Sequence, residues 1–157
     1  MCSSDLRTDL AGEVAKSAEA APPGEIPVYA IRLKPLCAAF LPRWREQVQK
    51  ALGPADQLPS AALLALLAPQ DAWWSQVGPR LADTLASMSA FELAPWLPLL
   101  KEIAGPLSPG LLEMARKGFA ENADTAAVAR AESAAGVLAA LPTEDRKSTR
   151  LNSSHAN

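Results

Sequence analysis

Along this chain apolar residues recur three and four positions apart, in blocks cut by proline and glycine. No run alternates at period two for long enough to make a strand. The pattern predicts an all-α fold of antiparallel helix pairs, stacked as an α-solenoid or gathered into an irregular helical bundle. A helical body is expected over residues 34–144. Residues 7–33 ahead of it read as a polar connector, partly helical or disordered. Arg7 to Ala21 is rich in Ala, Glu and Lys, Pro22-Pro23-Gly24 breaks the chain, and Glu25 to Arg32 reads as extended.

Within the body, Leu36, Phe40, Trp44, Val48 and Leu52 stand four apart and predict one buried helix face, ended by Gly53-Pro54. Pro42 lies inside that pattern and predicts a bend. A short helix is expected from Pro59 to Ala68, stopped by Pro69. Asp71 is placed to cap a helix carrying Trp73, Trp74 and Val77, kinked at Gly78-Pro79 and continued by Leu81, Leu85 and Met88. Ser89-Ala90-Phe91-Glu92 has the spacing of a capping box, in which hydroxyl and carboxylate each accept an orphan backbone N–H. The helix it opens carries Leu93, Trp96, Leu97, Leu100 and Ile103 and ends at Gly105-Pro106. Ser108-Pro109 caps the next, whose buried face reads as Leu111, Leu112, Ala115 and Phe119. Asn122 and Asp124-Thr125 turn and recap the chain into a last stripe of Val128, Ala131, Ala135 and Leu138. Leu41-Pro42-Arg43-Trp44-Arg45-Glu46 faintly echoes Leu97-Pro98-Leu99-Leu100-Lys101-Glu102, which is the repetition behind the solenoid alternative.

The two ends differ from the interior. Asp145-Arg146-Lys147-Ser148-Thr149-Arg150-Leu151-Asn152-Ser153-Ser154-His155 resembles a translated sequencing adapter. If Asp145 to Ser148 is encoded GAT CGG AAG AGC followed by A, the reverse complement reads TGC TCT TCC GAT C. That encodes Cys-Ser-Ser-Asp, the residues Cys2, Ser3, Ser4 and Asp5, and Leu6 fits the next codon. Residues 1–6 and 145–157 are therefore read as adapter-like, and the interior is expected to be a fragment of a longer protein. His155, the single histidine, goes with the tail, and Cys2 with the head. Setting aside Arg146, Lys147 and Arg150 together with Asp5 and Asp145 leaves the interior one unit more acidic than the whole chain, whose formal net charge is −2.

That mild acidity argues against a nucleic-acid or anionic-membrane surface, which needs clustered Lys and Arg. Arg43, Arg45 and Lys50 around Trp44 are the only basic cluster, and Glu46 interrupts it. No apolar stretch approaches the roughly 20 residues of a membrane span, so no membrane insertion is expected within the interior. Cys37, beside Leu36 and Ala38, reads as a buried inert thiol, compatible with a cytoplasmic location. Without an interior histidine, Ser/His/Asp and Cys/His arrangements and the common zinc sites are not written in the sequence. Gly105, Gly110 and Gly118 read as punctuation rather than a phosphate loop. Glu92, Glu102, Glu113 and Glu121 read as solvated helix faces, because a di-metal carboxylate site uses a Glu-x-x-His spacing. No catalytic residue, cofactor or metal site is expected. The side chains singled out are Trp44, Trp73, Trp74 and Trp96, as core packing or as an aromatic interaction surface.

The run Asp71-Ala72-Trp73-Trp74, then Val77, Leu81-Ala82-Asp83-Thr84-Leu85 and Phe91-Glu92-Leu93-Ala94-Pro95-Trp96-Leu97-Pro98-Leu99-Leu100, is followed by Leu107, Leu111-Leu112 and Phe119. It resembles the HEAT-like helical region of large bacterial multidomain signalling proteins. There the region lies between a serine/threonine protein kinase domain and a formylglycine-generating-enzyme-like domain. Such segments carry a tryptophan followed by valine and leucine, a Pro-x-x-Leu-x-x-Trp-Leu-x-x-Leu phrase, a helix with a terminal phenylalanine, and an Ala-rich helix like Ala126 to Ala140. The resemblance covers Leu58 to Leu141 and departs after Phe119, where Glu121-Asn122-Ala123-Asp124 replaces a charged, proline-containing turn.

The resemblance implies a non-catalytic scaffold or spacer that positions neighbouring domains of its parent chain and offers a helical surface to a protein partner. No motif of the kinase or of the formylglycine enzyme is present to carry over. Two other readings stay open. One is an independent helical bundle binding a small apolar ligand or a protein partner through the Trp73, Trp74 and Trp96 region. The other is a helical accessory domain of another enzyme.

Overall fold

The computed structural model describes residues 3–120 and 123–141, with side chains from Leu10 onward. All regular structure among them is helical, so the chain is all-α, as its apolar spacing predicts. It divides into two compact units, Met1–Asp71 and Ala72–Asn157. Residues 7–33 thus fall inside the first unit. The adapter-like residues 145–157, Cys2 and the expected turn residue Asn122 lie outside the described residues, whereas Ser3 to Leu6 form the first turn of a helix. No helix among the described residues is long and apolar enough to cross a membrane.

In the first unit, α1 (Ser3–Glu19), α2 (Ile26–Leu33) and α3 (Cys37–Lys50) all pack on α4 (Pro54–Leu67), with a 3-10 turn at Lys34–Leu36 between α2 and α3. Every residue of α4 from Gln57 to Ala65 is buried. A helix apolar on all sides can only be a core helix, and α4 is that core. The expected extended segment at Glu25 to Arg32 is corrected: it is α2. Pro27 occupies the second helical position, where its missing N–H costs nothing, and Ile26, Ala30 and Leu33 turn inward together. The expected five-residue face of α3 is narrower, with only Trp44 and Val48 buried. Leu36 falls in the 3-10 turn, and Leu52 is 99% exposed because the helix has stopped at Lys50.

The second unit holds α5 (Trp74–Ala86), two single-turn helices α6 (Ala90–Leu93) and α7 (Leu97–Leu100), a 3-10 turn at Lys101–Ile103, α8 (Ala104–Gly118) and α9 (Thr125–Ala140). Helix α8 packs on both α5 and α9, and α5 also meets α9. The capping box forms as its spacing predicts. The Glu92 backbone N–H donates to Ser89 Oγ at 3.4 Å, and the Ser89 N–H donates to Glu92 Oε2 at 3.1 Å. Asp124 caps α9, its carboxylate accepting from the Ala127 N–H at 2.7 Å. The single helix expected from Ala90 to Ile103 is instead three pieces. Pro95 and Pro98, three residues apart, remove two donors in succession.

Elsewhere the helices run through their prolines. Pro42, Pro59, Pro79 and Pro109 are each the sixth residue of α3, α4, α5 and α8. A proline there deletes the bond to the carbonyl four residues back, which belongs to Ala38, Ala55, Ser75 and Gly105 in turn. All four are exposed, so water can satisfy the carbonyl that the ring leaves without a donor. Gly53-Pro54 and Gly105-Pro106 likewise open helices instead of closing them. Pro54 is the first residue of α4 and Pro106 the third of α8, within the turn whose N–H groups are orphans anyway. Ser108, expected as a cap, lies inside α8 and donates to the Ala104 carbonyl at 2.7 Å.

Three glycines expected as punctuation or as a kink are contact points. A Cβ on Gly78 would stand 2.4 Å from the Pro106 carbonyl oxygen. One on Gly110 would stand 3.0 Å from both Pro79 Cα and Ala82 Cβ, and one on Gly118 2.2 Å from Ala131 Cβ. Helix α8 therefore meets α5 and α9 backbone to backbone, and this turns Leu107, Gly110, Leu111 and Gly118 inward. Leu112 and Phe119, expected in the core, are turned out. In α9 Ala131 is buried as expected, but Ala134 and Val137 are buried beside it in place of Ala135 and Leu138.

Candidate functional site

The most connected polar cluster belongs to the first unit and gathers on Glu19, the last residue of α1. Its carboxylate accepts from Arg43 Nη2 at 2.6 Å, from the Trp44 indole N–H at 3.1 Å and from Gln47 Nε2 at 2.8 Å. All three donors lie on α3, on its turn-spaced positions 43, 44 and 47, so one carboxylate can reach them together. Gln47 continues the chain of bonds: its Oε1 accepts from Ser60 Oγ of α4 at 2.6 Å. Gln57 of α4, which is buried, donates from Nε2 to the Val48 carbonyl at 3.0 Å, while its Oε1 has no partner among the described residues. Val48 is in the last turn of α3, so Gln57 satisfies a carbonyl that the helix itself leaves open. Glu19 keeps 12% of its side chain exposed and ties α1 to α3, while Gln47 extends the chain of bonds to α4.

Trp44, the first of the four tryptophans, is fully buried, with Phe40 5.6 Å from it between ring centroids. The other three belong to the second unit. Trp74 is buried at the start of α5 and meets Trp73 edge-on, with centroids 5.2 Å apart and planes at 61°. Trp73 and Trp96 are half-buried. Trp44 and Trp74 are thus core side chains of their respective units, and neither offers a face to a ligand. Pattern reasoning found the tryptophans but missed Glu19. Its position at the end of a polar, alanine-rich segment carries no periodic signal, and its partners lie 24 to 28 residues away.

The basic cluster is matched charge for charge. Arg43 pairs with Glu19, Arg45 with Asp71 and Lys50 with Glu46. On the surface, Lys16, Lys50 and Lys117 hydrogen-bond Glu13, Glu46 and Glu113 and hold each carboxyl below its ordinary value. Glu92 is also held low, first by the Ser89 hydroxyl and then by the Ser89 N–H. Cys37, expected to be buried, is half-buried at the first position of α3, because only positions 44 and 48 of that helix face inward. Among the described residues no group of three His, Cys, Asp or Glu side chains stands close enough together to hold a metal ion.

Among the charged and polar side chains that the second unit exposes stand large apolar ones, Phe91, Leu112 and Phe119. Leu112 of α8 is 45% exposed, and Phe119, the residue that follows α8, 69%. Seven residues apart, they project within about 20° of each other on a helix of 3.6 residues per turn, with half-buried Ala115 and exposed Arg116 between them. No protein-family model, no curated protein and no solved structure matches the chain.

Proposed function

We propose that this chain is a non-catalytic helical scaffold, a segment of a larger bacterial signalling protein, that positions neighbouring domains and binds a protein partner through the outer face of α8. The observation that carries the reading is the Leu112–Ala115–Phe119 stripe. Large apolar side chains left in water cost free energy that a protein surface can recover on binding. The polar contacts support it from the other side, since Glu19 and Gln47 bond side chains of neighbouring helices and the Ser89–Glu92 pair closes the end of its own helix. The kinase-linked parent rests on the resemblance over Leu58 to Leu141.

Two measurements test this. The parent gene read past both ends should encode a kinase or a formylglycine-generating-enzyme-like domain, and its lacking both removes the family reading. Those flanking domains, added in trans, should bind the chain measurably by calorimetry, and Leu112→Ser with Phe119→Ser should abolish binding while leaving helical circular dichroism intact. Binding unchanged by the double substitution removes α8 as the partner surface.

A further inference from the structure

We infer that α1 is a separable strap on the first unit, latched by Glu19, which opens as a segment while α2, α3 and α4 stay folded. Three independent observations lead there. The first is the content of its interface: the described side chains that α1 buries are Ala11, Ala15 and Ala18, each contributing a single methyl group. Helix α4, by contrast, buries Leu58, Leu63 and Leu64, and α3 buries Trp44. Segments with few buried apolar contacts open at lower free energy than the core they lie on.

The second observation is a gap along its flank. Neither of the two larger apolar side chains described on α1 is buried. Leu10 is exposed and Val14 half-buried, and with Ala11, Leu33 and Leu36 they border a depression of about 220 Å³. Side chains along an open depression stay partly in water, so α1 buries less apolar surface there than a core helix does.

The third is the concentration of polar contacts at one end. Glu19 takes its three donors from α3, so the far end of α1 is fixed by charge-assisted bonds, where the fully buried side chains described along its middle are alanines alone. Beyond Glu19 the chain passes through Ala20-Ala21-Pro22-Pro23-Gly24, a non-helical joint about which α1 can swing without disturbing α2. Opening uncovers the sides of α2 and α4 that α1 covers, so the latch governs access to that surface. The inference is independent of the role proposed for α8.

Hydrogen–deuterium exchange of the whole chain, read peptide by peptide, tests it. In the unsubstituted protein, amides of residues 10–19 should exchange at least ~10-fold faster than those of residues 58–65, although both stretches are helical. Glu19→Gln should accelerate residues 10–19 by a further ~10-fold and leave residues 58–65 within about twofold. The strap is overturned if both stretches exchange together in the unsubstituted protein. It is equally overturned if Glu19→Gln accelerates both alike, accelerates neither, or abolishes helical circular dichroism altogether, since the remaining helices would then depend on α1.

Discussion

Gly118 of α8 lies so close to Ala131 of α9 that a Cβ added to it would stand 2.2 Å from the alanine Cβ and 2.4 Å from the Ala127 carbonyl oxygen. Neither neighbour can move cheaply, because one is a side chain of a single atom and the other is helix backbone. Gly118→Ala should therefore destabilise the second unit by about 2–3 kcal/mol. Gly136 in α9 is the internal control: nothing lies within 4 Å of its added Cβ, and Gly136→Ala should stabilise by about 0.5–1 kcal/mol. Urea unfolding followed by helical circular dichroism measures both. Equal effects would mean that α8 and α9 do not meet at Gly118.

Trp44 fills the first unit's core and also gives its indole N–H to Glu19. Trp44→Phe keeps most of the ring and loses that donor, while Arg43 and Gln47 still satisfy the carboxylate, so the cost should be about 1–2 kcal/mol. Trp44→Ala adds a cavity and should cost about 3–5 kcal/mol. Denaturant midpoints that fail to separate the two variants would contradict the burial of this ring.

Gln57 acts as a cap on the C-terminal end of α3 through the Val48 carbonyl. Gln57→Ala should cost about 2–3 kcal/mol, because it opens a cavity and leaves a buried acceptor unpaired. Gln57→Met keeps the volume and removes the unpartnered Oε1, so its cost should fall to about 1 kcal/mol. The order of the two variants by thermal unfolding is the check.

The Ser89–Glu92 box gives a pH dependence whose sign follows from the lowered carboxyl. A carboxylate held low in the folded chain stabilises it above the ordinary carboxylate range, and loses that effect as pH falls through the lowered value. In an NMR titration the Glu92 carboxyl should reach its midpoint below 4.5, its ordinary value, and the Ser89 amide should shift with it. Ser89→Ala should return the midpoint towards the ordinary value and cost about 1 kcal/mol at neutral pH. A Glu92 midpoint at or above the ordinary value would rule out the box.

Legibility followed the range of the interaction. The capping boxes and caps at Ser89 and Asp124 were readable because donor and acceptor lie three residues apart in the chain. The prolines were misread as helix ends at Gly53-Pro54 and Gly105-Pro106. Whether a proline breaks a helix depends on its position in the turn and on whether the carbonyl it strands reaches water, and neither is written locally. Residues 7–33 read as a connector because alanine methyls carry too little hydropathy to mark a buried face, although Ala15 and Ala18 are wholly buried.

By itself, then, the sequence determined that this chain is helical, that Ser89 and Asp124 cap their helices and that Trp44 and Trp74 lie on apolar faces. The N-cap position of α5 is Trp73 and not the expected Asp71, and Ser108 lies inside α8. Three- and four-residue periodicity and hydrogen bonds across one turn are properties of neighbouring residues. Only the tertiary structure decided that Gly118 and Gly110 are contacts, that Phe119 faces water and that Glu19 ties α1 to α3. Each of these depends on which side of one helix meets another. That choice is set by packing between residues far apart in the chain, where a missing Cβ or a single carboxylate outweighs the local pattern.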